Sequence, residues 1–326
     1  MGWAGVVGES ARMVVEPGRV DAEARDVAEG AAVVLARRAG AAVVARGRAR
    51  GQLERVRWGA YLPTVPSQGR ARDTRRRALA RIEAVHAQLS VPHWFSHESA
   101  ALLWGYATVG LTEQVHVTQP TRPTGARQAL VRHHGELPVA QRAQVRGLPV
   151  TALERTVVDC AATLRADRAL VVADSALRLG ADRLAVADLV RGRAGGRGVA
   201  AARAVLARAD GRSESPGETL VRFHLHDQGL PEPDLQVEVR TRLGRAFLDL
   251  GWVAQRVGLE FDGFVKYSGE LGSTAPEAVF AEKRRQDAVE DEGWRVLRVT
   301  WDDLRTPAAL AARVARALAR GPRFRP

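Results

Sequence analysis

Cysteine and lysine are both scarce in this 326-residue sequence, and each shortage has a consequence. Cys160 is the only cysteine, so an intrachain disulfide is excluded. It lies in an apolar stretch, residues 156–162, where we expect it to be a small core residue. Of 49 basic residues, only Lys266 and Lys283 are lysines, and the rest are arginines. Because the chain prefers arginine so strongly, two lysines close together in the sequence suggest a functional reason.

Long apolar runs are also lacking. No stretch approaches the roughly 18 apolar residues that a membrane-spanning helix needs, and the first residues do not resemble a signal peptide. The low cysteine content is typical of a reducing compartment. We therefore expect a cytoplasmic protein without a membrane partner. With 46% hydrophobic residues, the chain can bury a core, and its length predicts two or three domains.

Charge is distributed unevenly along the chain, whose net charge is +12. Residues 213–326 carry 17 basic and 18 acidic residues, whereas residues 1–212 carry 32 basic and 19 acidic residues. The excess positive charge therefore lies entirely upstream of residue 213. This asymmetry favours a polyanionic partner, with double-stranded DNA first. The alternative is a general arginine bias without a partner.

The sequence predicts an α/β protein of the α+β class with three regions. Residues 1–68 contain an amphipathic helix over 22–38, a break at Gly40, and a hairpin over 52–63 that turns at Trp58-Gly59. Helices before a basic hairpin predict a small winged-helix-like DNA-binding region, although no clear recognition helix can be placed. Basic side chains with interleaved aromatics suit contacts to DNA phosphates. The candidate DNA-binding residues are Arg46, Arg48, Arg50, Arg55, Arg57, Trp58 and Tyr61.

Residues 69–212 mix helical and strand patterns and predict a mixed α/β middle domain. Thr151 is expected to cap a helix, and His97 is expected to belong to a helix cap that begins at Ser96. His133 and His134 are interpreted as a surface pair, because no further metal ligand stands near them in the sequence.

Residues 213–326 predict a C-terminal domain with the order αβββαβα. The expected elements are a helix to about 228, strands over 236–240, 245–251 and 256–262, a helix over 276–292, a strand buried over 294–301 and a helix over 307–320.

Carboxylates interrupt the apolar strands of this region. Asp249 stands between two leucines, and Glu260 and Asp262 are two residues apart, which places both on one strand face. A turn over 253–256 would set Asp249 opposite Glu260, and Glu218 on the leading helix could add a fourth ligand. Carboxylate oxygens are the ligands of Mg²⁺, which can activate water for phosphodiester hydrolysis. The alternative is that these acids line a solvated sheet face.

These acids belong to a wider set of residues that resembles a known family. Glu218, Asp249, the segment 260–263, and the segments 283–287 and 293–301 are similar to the endonuclease family related to very-short-patch-repair enzymes, in the PD-(D/E)XK superfamily. The resemblance implies a restriction-endonuclease-like fold and an endonuclease dependent on Mg²⁺, with Mn²⁺ as the alternative ion, in which Asp249 and Glu260 bind the metal. The superfamily has lysine where this chain has Asp262, so Lys266 or Lys283 would have to supply the catalytic amine.

Upstream segments resemble a second family. Residues 51–64, 96–106, 147–151 and 155–159 are similar to chains with an AbiEi-antitoxin-like winged-helix N-terminus. That resemblance implies a DNA-binding regulator of a type IV toxin–antitoxin system, with a cognate toxin as a partner. Three classes of function therefore remain open, namely a DNA endonuclease, a non-catalytic regulator and a toxin-neutralising protein.

Overall fold

The computed structural model describes residues 33–122, 129–263 and 276–321. Its α-helices over those ranges are α1 (Ala36–Ala39), α2 (Ala41–Ala49), α3 (Arg70–Gln88), α4 (His97–Trp104), α5 (Leu153–Thr163), α6 (Ala166–Arg178), α7 (Arg183–Arg191), α8 (Val199–Arg208), α9 (Pro216–Asp227), α10 (Pro276–Asp291) and α11 (Pro307–Ala319). Its strands are β1 (Val34–Leu35), β2 (Leu53–Arg57), β3 (Ala60–Pro63), β4 (Trp94–Phe95), β5 (Val115–Gln119), β6 (Leu130–His134), β7 (Arg142–Val145), β8 (Leu148–Thr151), β9 (Asp234–Thr241), β10 (Gly244–Trp252), β11 (Val257–Asp262) and β12 (Arg295–Thr300). The mixed α/β class predicted from the sequence is confirmed.

The first sheet has the order β1-β3-β2, and the predicted hairpin turning at Trp58-Gly59 is confirmed. The helix predicted over 22–38 is wrong at Val34 and Leu35, which form a strand that pairs with Tyr61 and Ala60, whereas residues 36–38 are helical in α1. Pairing with β3 overrides the local helical pattern at these two residues. Residues 22–32 lie outside the described residues.

Helix α3 joins the first sheet to the middle of the chain. Ala80 and Ala84 pack on the first sheet, in a core with Val56 and Leu62. Other buried positions of the same helix, such as Ile82, pack against the second sheet. The predicted boundary at residue 68 therefore falls just before a helix whose two faces serve both cores.

The second sheet has the order β6-β5-β4-β8-β7, and helices α5 to α8 build a separate core beside it. Cys160 is buried in that core, as expected. The prediction that Thr151 caps the next helix is wrong. Thr151 is the last residue of β8, and Ala152 takes the N-cap position of α5. The Thr151 hydroxyl is instead buried against the hydroxyl of Thr156, at 2.7 Å.

The C-terminal region follows the predicted order of elements. Its sheet has the order β12-β11-β10-β9, in which β9, β10 and β11 are antiparallel and β12 runs parallel to β11. The strand predicted to be buried over 294–301 forms as β12, but most of its residues are only half-buried. The reason is its place at the edge of the sheet. The N-terminus of α9 lies directly on β11, where Gly217 packs so closely on the ring of Phe261 that a Cβ would overlap it.

A buried polar network joins α9 to α6 of the middle region. Asp174 accepts hydrogen bonds from Arg222 at 2.7 Å, from the Thr219 hydroxyl at 2.8 Å and from the backbone of Asp210 at 2.8 Å. Among the described helices, none is long and apolar enough to cross a membrane.

Candidate metal centre

Asp249 and Glu260 lie where β10 and β11 stop pairing. The ladder runs from Trp252↔Val257 to Leu250↔Leu259, so the next position sets Asp249 opposite Glu260, in the register expected from the turn over 253–256. There the Asp249 carboxylate accepts the backbone N–H of Phe261 at 2.7 Å. The Asp249 side chain thus takes the place of a backbone hydrogen-bond acceptor for Phe261. Asp249 and Glu260 come together where the two strands separate.

Helix α9 brings Glu218 toward the same place. Its backbone N–H bonds to the Ser215 hydroxyl at 3.2 Å, and its carboxylate accepts the N–H of Glu214 at 2.8 Å, as in a capping box. Gln236 also donates to this carboxylate, at 3.4 Å. Glu218 therefore caps the helix and faces the acids of the sheet, two roles that a single residue can combine.

Two further residues near this site were not singled out in the sequence. Glu214 adds negative charge beside Glu218 and Asp249. Gln236 has a φ of 54°, a left-handed conformation that costs free energy in a non-glycine residue and is frequent at functional sites. The acidic cap motif could have pointed to Glu214, whereas no local pattern marks Gln236.

Burial and mutual repulsion perturb the acids. Burial, reinforced by the charges of Asp249 and Glu214, raises the pKa of Glu218 to about 7. Burial also raises the pKa of Asp249, with a further contribution from Glu260, although the N–H of Phe261 opposes it. A cation between a buried acid and a half-buried acid stabilises both when their pKa values are raised in this way.

Arg298 of β12 lies 4.0 Å from the Glu260 carboxylate, and a closer cation is Arg285 of α10. Its guanidinium lies 2.7 Å from Glu260 and 2.9 Å from Glu282, and Glu282 also pairs with Arg298 at 2.8 Å. The hydrogen bonds that Arg285 donates to Glu282 and Glu260 raise the pKa of its guanidinium, so it remains charged. Lys283, in contrast, is exposed. Lys266 lies outside the described residues.

Asp262, the third predicted metal ligand, is half-buried at the end of β11 and aligned with Thr300. In the described part of the chain, the acids do not form a group of three whose ligand atoms all lie within 4.8 Å of one another. Mg²⁺ usually keeps several waters and binds one or two carboxylates. Asp249 with Glu218 or Glu260 offers such a donor set, so these residues fit the ion.

The predicted DNA-binding residues differ in exposure. Trp58 is 84% exposed at the tip of the hairpin. Arg57 donates to the Gln88 side chain at 2.9 Å, and Tyr61 is half-buried in β3. The arginines that are exposed are Arg46, Arg48, Arg50 and Arg55.

The interpretation of His133 and His134 as a surface pair agrees with the exposure of His134 but is wrong for His133. His133 is half-buried, and its ring nitrogen lies 3.1 Å from that of His116. His97 stacks on it with ring centroids 3.7 Å apart. The sheet brings together histidines that are far apart in the sequence. His97 also contacts the Ser96 hydroxyl at 2.9 Å, at the predicted cap.

No family model matches this chain, and a comparison with the curated proteins found no match.

Proposed function

We propose that this chain is a metal-dependent DNA endonuclease. The observation that carries the proposal is the meeting of Asp249 and Glu260 where β10 and β11 separate, with Glu218 brought close by α9. Acids clustered in a partly buried place repel one another and are rarely retained for stability alone. The mixed sheet with a parallel fourth strand agrees with the fold that the endonuclease resemblance implies.

Asp249 would hold Mg²⁺ or Mn²⁺ together with Glu218 or Glu260. The bound ion would neutralise phosphate charge and lower the pKa of a water molecule. Asp249 is oriented by the N–H of Phe261, and Glu218 by its helix cap. Arg285 adds a fixed positive charge beside Glu260, which can pair with a phosphate oxygen but cannot exchange a proton at neutral pH.

The N-terminal part supplies a surface for DNA. Its elements follow the order β1, α1, α2, β2, β3, with β3 between the other two strands, which supports a winged-helix arrangement. Helix α2 is then the candidate recognition helix that the sequence did not reveal. It carries the exposed Arg46 and Arg48, and the exposed Trp58 lies at the tip of the wing.

A second candidate is a non-catalytic, AbiEi-like regulator that binds DNA and, as the resemblance implies, has a cognate toxin as its partner. The observation that favours it is the ion pair between Arg285 and Glu260, since an internal guanidinium already neutralises one of the two acids. Asp262 in place of the superfamily's lysine points the same way.

The test is nicking of a supercoiled plasmid by the full chain with Mg²⁺ or Mn²⁺, paired with calorimetric titration of the metal. We expect nicking by the wild type and none by Asp249→Asn, which keeps an acceptor for Phe261 but loses charge. Asp287→Asn is the matched control, because Asp287 is an exposed acid of α10.

Equal nicking by both variants would show a contaminating nuclease and overturn the endonuclease proposal. No nicking and no metal binding by the wild type, with DNA binding retained, would favour the regulator.

A further inference from the structure

Three histidines of the second region come together from different elements. His97 opens α4, and His116 and His133 lie on the parallel strands β5 and β6. Each offers one ring nitrogen, and these atoms all lie within 4.8 Å of one another. In the described part of the chain, this is the group of three potential ligands that is compact enough for one ion.

Spacing and protonation suit a metal that prefers imidazole. Two nitrogens bound to tetrahedral Zn²⁺ are about 3.3 Å apart, and His116 Nδ1 is 3.1 Å from His133 Nε2. Burial lowers the pKa of His116 to about 4 and lowers the pKa values of His97 and His133 as well. All three rings are therefore neutral near pH 7, the form that binds a metal.

Two buried polar atoms near the three rings have no hydrogen-bond partner. They are the hydroxyl of Thr118, the residue aligned with His133, and His116 Nε2, which is not the ring nitrogen that lies 3.1 Å from His133. A buried polar atom without a partner costs free energy. His97 has a φ of 54°, a strained conformation that is frequent at functional sites.

We propose that His97, His116 and His133 bind one divalent transition-metal ion, Zn²⁺ or a close substitute, through one ring nitrogen each. Three neutral imidazoles leave one position of a tetrahedral site open for a water or an anion. The site is separate from the carboxylates, which suit hard ions such as Mg²⁺.

Binding requires a small rearrangement. The rings of His97 and His133 are 14° from parallel, whereas a metal lies in the plane of each ring that it binds. At least one ring must therefore turn about χ2, a broad torsion in histidine. Asp159 is paired with Arg155 and Arg193 at 2.9 Å each, and all three charges act on the histidines. Their net positive charge favours an anion at the open position.

The experiment titrates Zn²⁺ into the chelator-stripped full chain carrying Asp249→Asn, so that failure of the endonuclease proposal leaves this test intact. We expect one Zn²⁺ per chain and, with Co²⁺, the visible absorption of a tetrahedral site. His116→Gln and His133→Gln should each weaken binding at least about tenfold, since even partners of metal ligands contribute 10–100-fold. His86→Gln is the control, because His86 is a half-buried member of another histidine pair, 3.1 Å from His93.

Acylation of the wild type by diethylpyrocarbonate avoids any folding defect of the variants. Zn²⁺ should protect His116 and His133 but neither His86 nor the exposed His134. Absence of a bound ion, equal affinity in the His116 and His133 variants, or equal protection of His86 would overturn the proposal.

Discussion

At the scale of single residues, Arg285 and Glu218 decide how much negative charge the candidate metal centre holds. Arg285 neutralises Glu260 by direct contact, at 2.7 Å. Among the described residues, the Glu218 carboxylate accepts the backbone N–H of Glu214 and the side-chain amide of Gln236, and neither carries a positive charge. We therefore expect Glu218 and Glu260 to respond differently to pH and to substitution. The stability of the protein should depend more on the ionisation of Glu218 than on that of Glu260.

Glu218→Gln should stabilise the metal-free protein at pH 8 and have little effect at pH 4.5. The folded state raises the pKa of Glu218 to about 7, so the protonated form contributes stability that is present below the unfolded value, 4.5, and is lost as the pH rises through about 7. Glutamine keeps the acceptor for Glu214 without the charge. Thermal unfolding at both pH values measures the effect. An unchanged or lower melting temperature at pH 8 would mean that burial of the charged carboxylate beside Asp249 and Glu214 costs little stability.

Lys266→Arg should lower nicking by roughly tenfold or more, the scale of one lost transition-state contact, whereas Lys283→Arg should leave it unchanged. Lys283 is exposed, so an amine at the catalytic place would have to come from Lys266. Arginine keeps the charge but not the compact amine or its ability to lose a proton. Initial rates of plasmid nicking measure both, with DNA affinity as the control. If the Lys266 variant nicks at the wild-type rate, the catalytic amine does not come from Lys266.

At the scale of elements, α2 lies beside β2, with Gly47 against the side chain of Leu53, and both elements carry exposed arginines. Arg46→Ala and Arg48→Ala should each weaken duplex binding and reduce the log–log salt slope by about 0.9, the contribution of one phosphate contact. Both arginines are exposed on α2. Fluorescence anisotropy at several salt concentrations measures the slope.

The matched control for this surface is Arg203→Ala, because Arg203 is an exposed arginine on α8, a helix of the middle region. A slope that changes equally in the control would indicate that the whole positive half binds DNA without a defined surface. If the salt slope is unchanged in all variants, the excess positive charge of residues 1–212 reflects a general arginine bias and not DNA binding.

At the scale of the whole molecule, the pair between Arg222 and Asp174 ties the C-terminal sheet to the middle region. Arg222→Ala should destabilise the chain by about 3–5 kcal/mol, because it leaves a buried carboxylate without its cation. Arg212→Ala should cost less than about 1 kcal/mol, since its pair with Asp210 is largely exposed. Urea denaturation compares them. Equal losses of stability in the two variants would show that the contact between α6 and α9 does not depend on the pair between Arg222 and Asp174.

The sequence alone determined the C-terminal sheet and the register of its acids. Alternation over 245–262 and a four-residue turn are local signals, and together they predicted that Asp249 lies opposite Glu260, the position that follows the last paired residues, Leu250 and Leu259. Capping residues and Pro216 likewise predicted the start of α9, and Gly293 predicted the end of α10. Local signals suffice here because neighbouring strands are connected by a short turn.

Only the tertiary structure decided which distant side chains meet. The pairing of β5 with β6 brings His116 near His133, and the start of α4 adds His97. The position of α10 on the sheet places Arg285, two residues beyond Lys283, closer to Glu260 than Arg298 lies. The rotation of a helix about its axis and the order of strands in a sheet determine such contacts. A single sequence carries no local pattern for either, because both depend on the burial of many residues across the whole core.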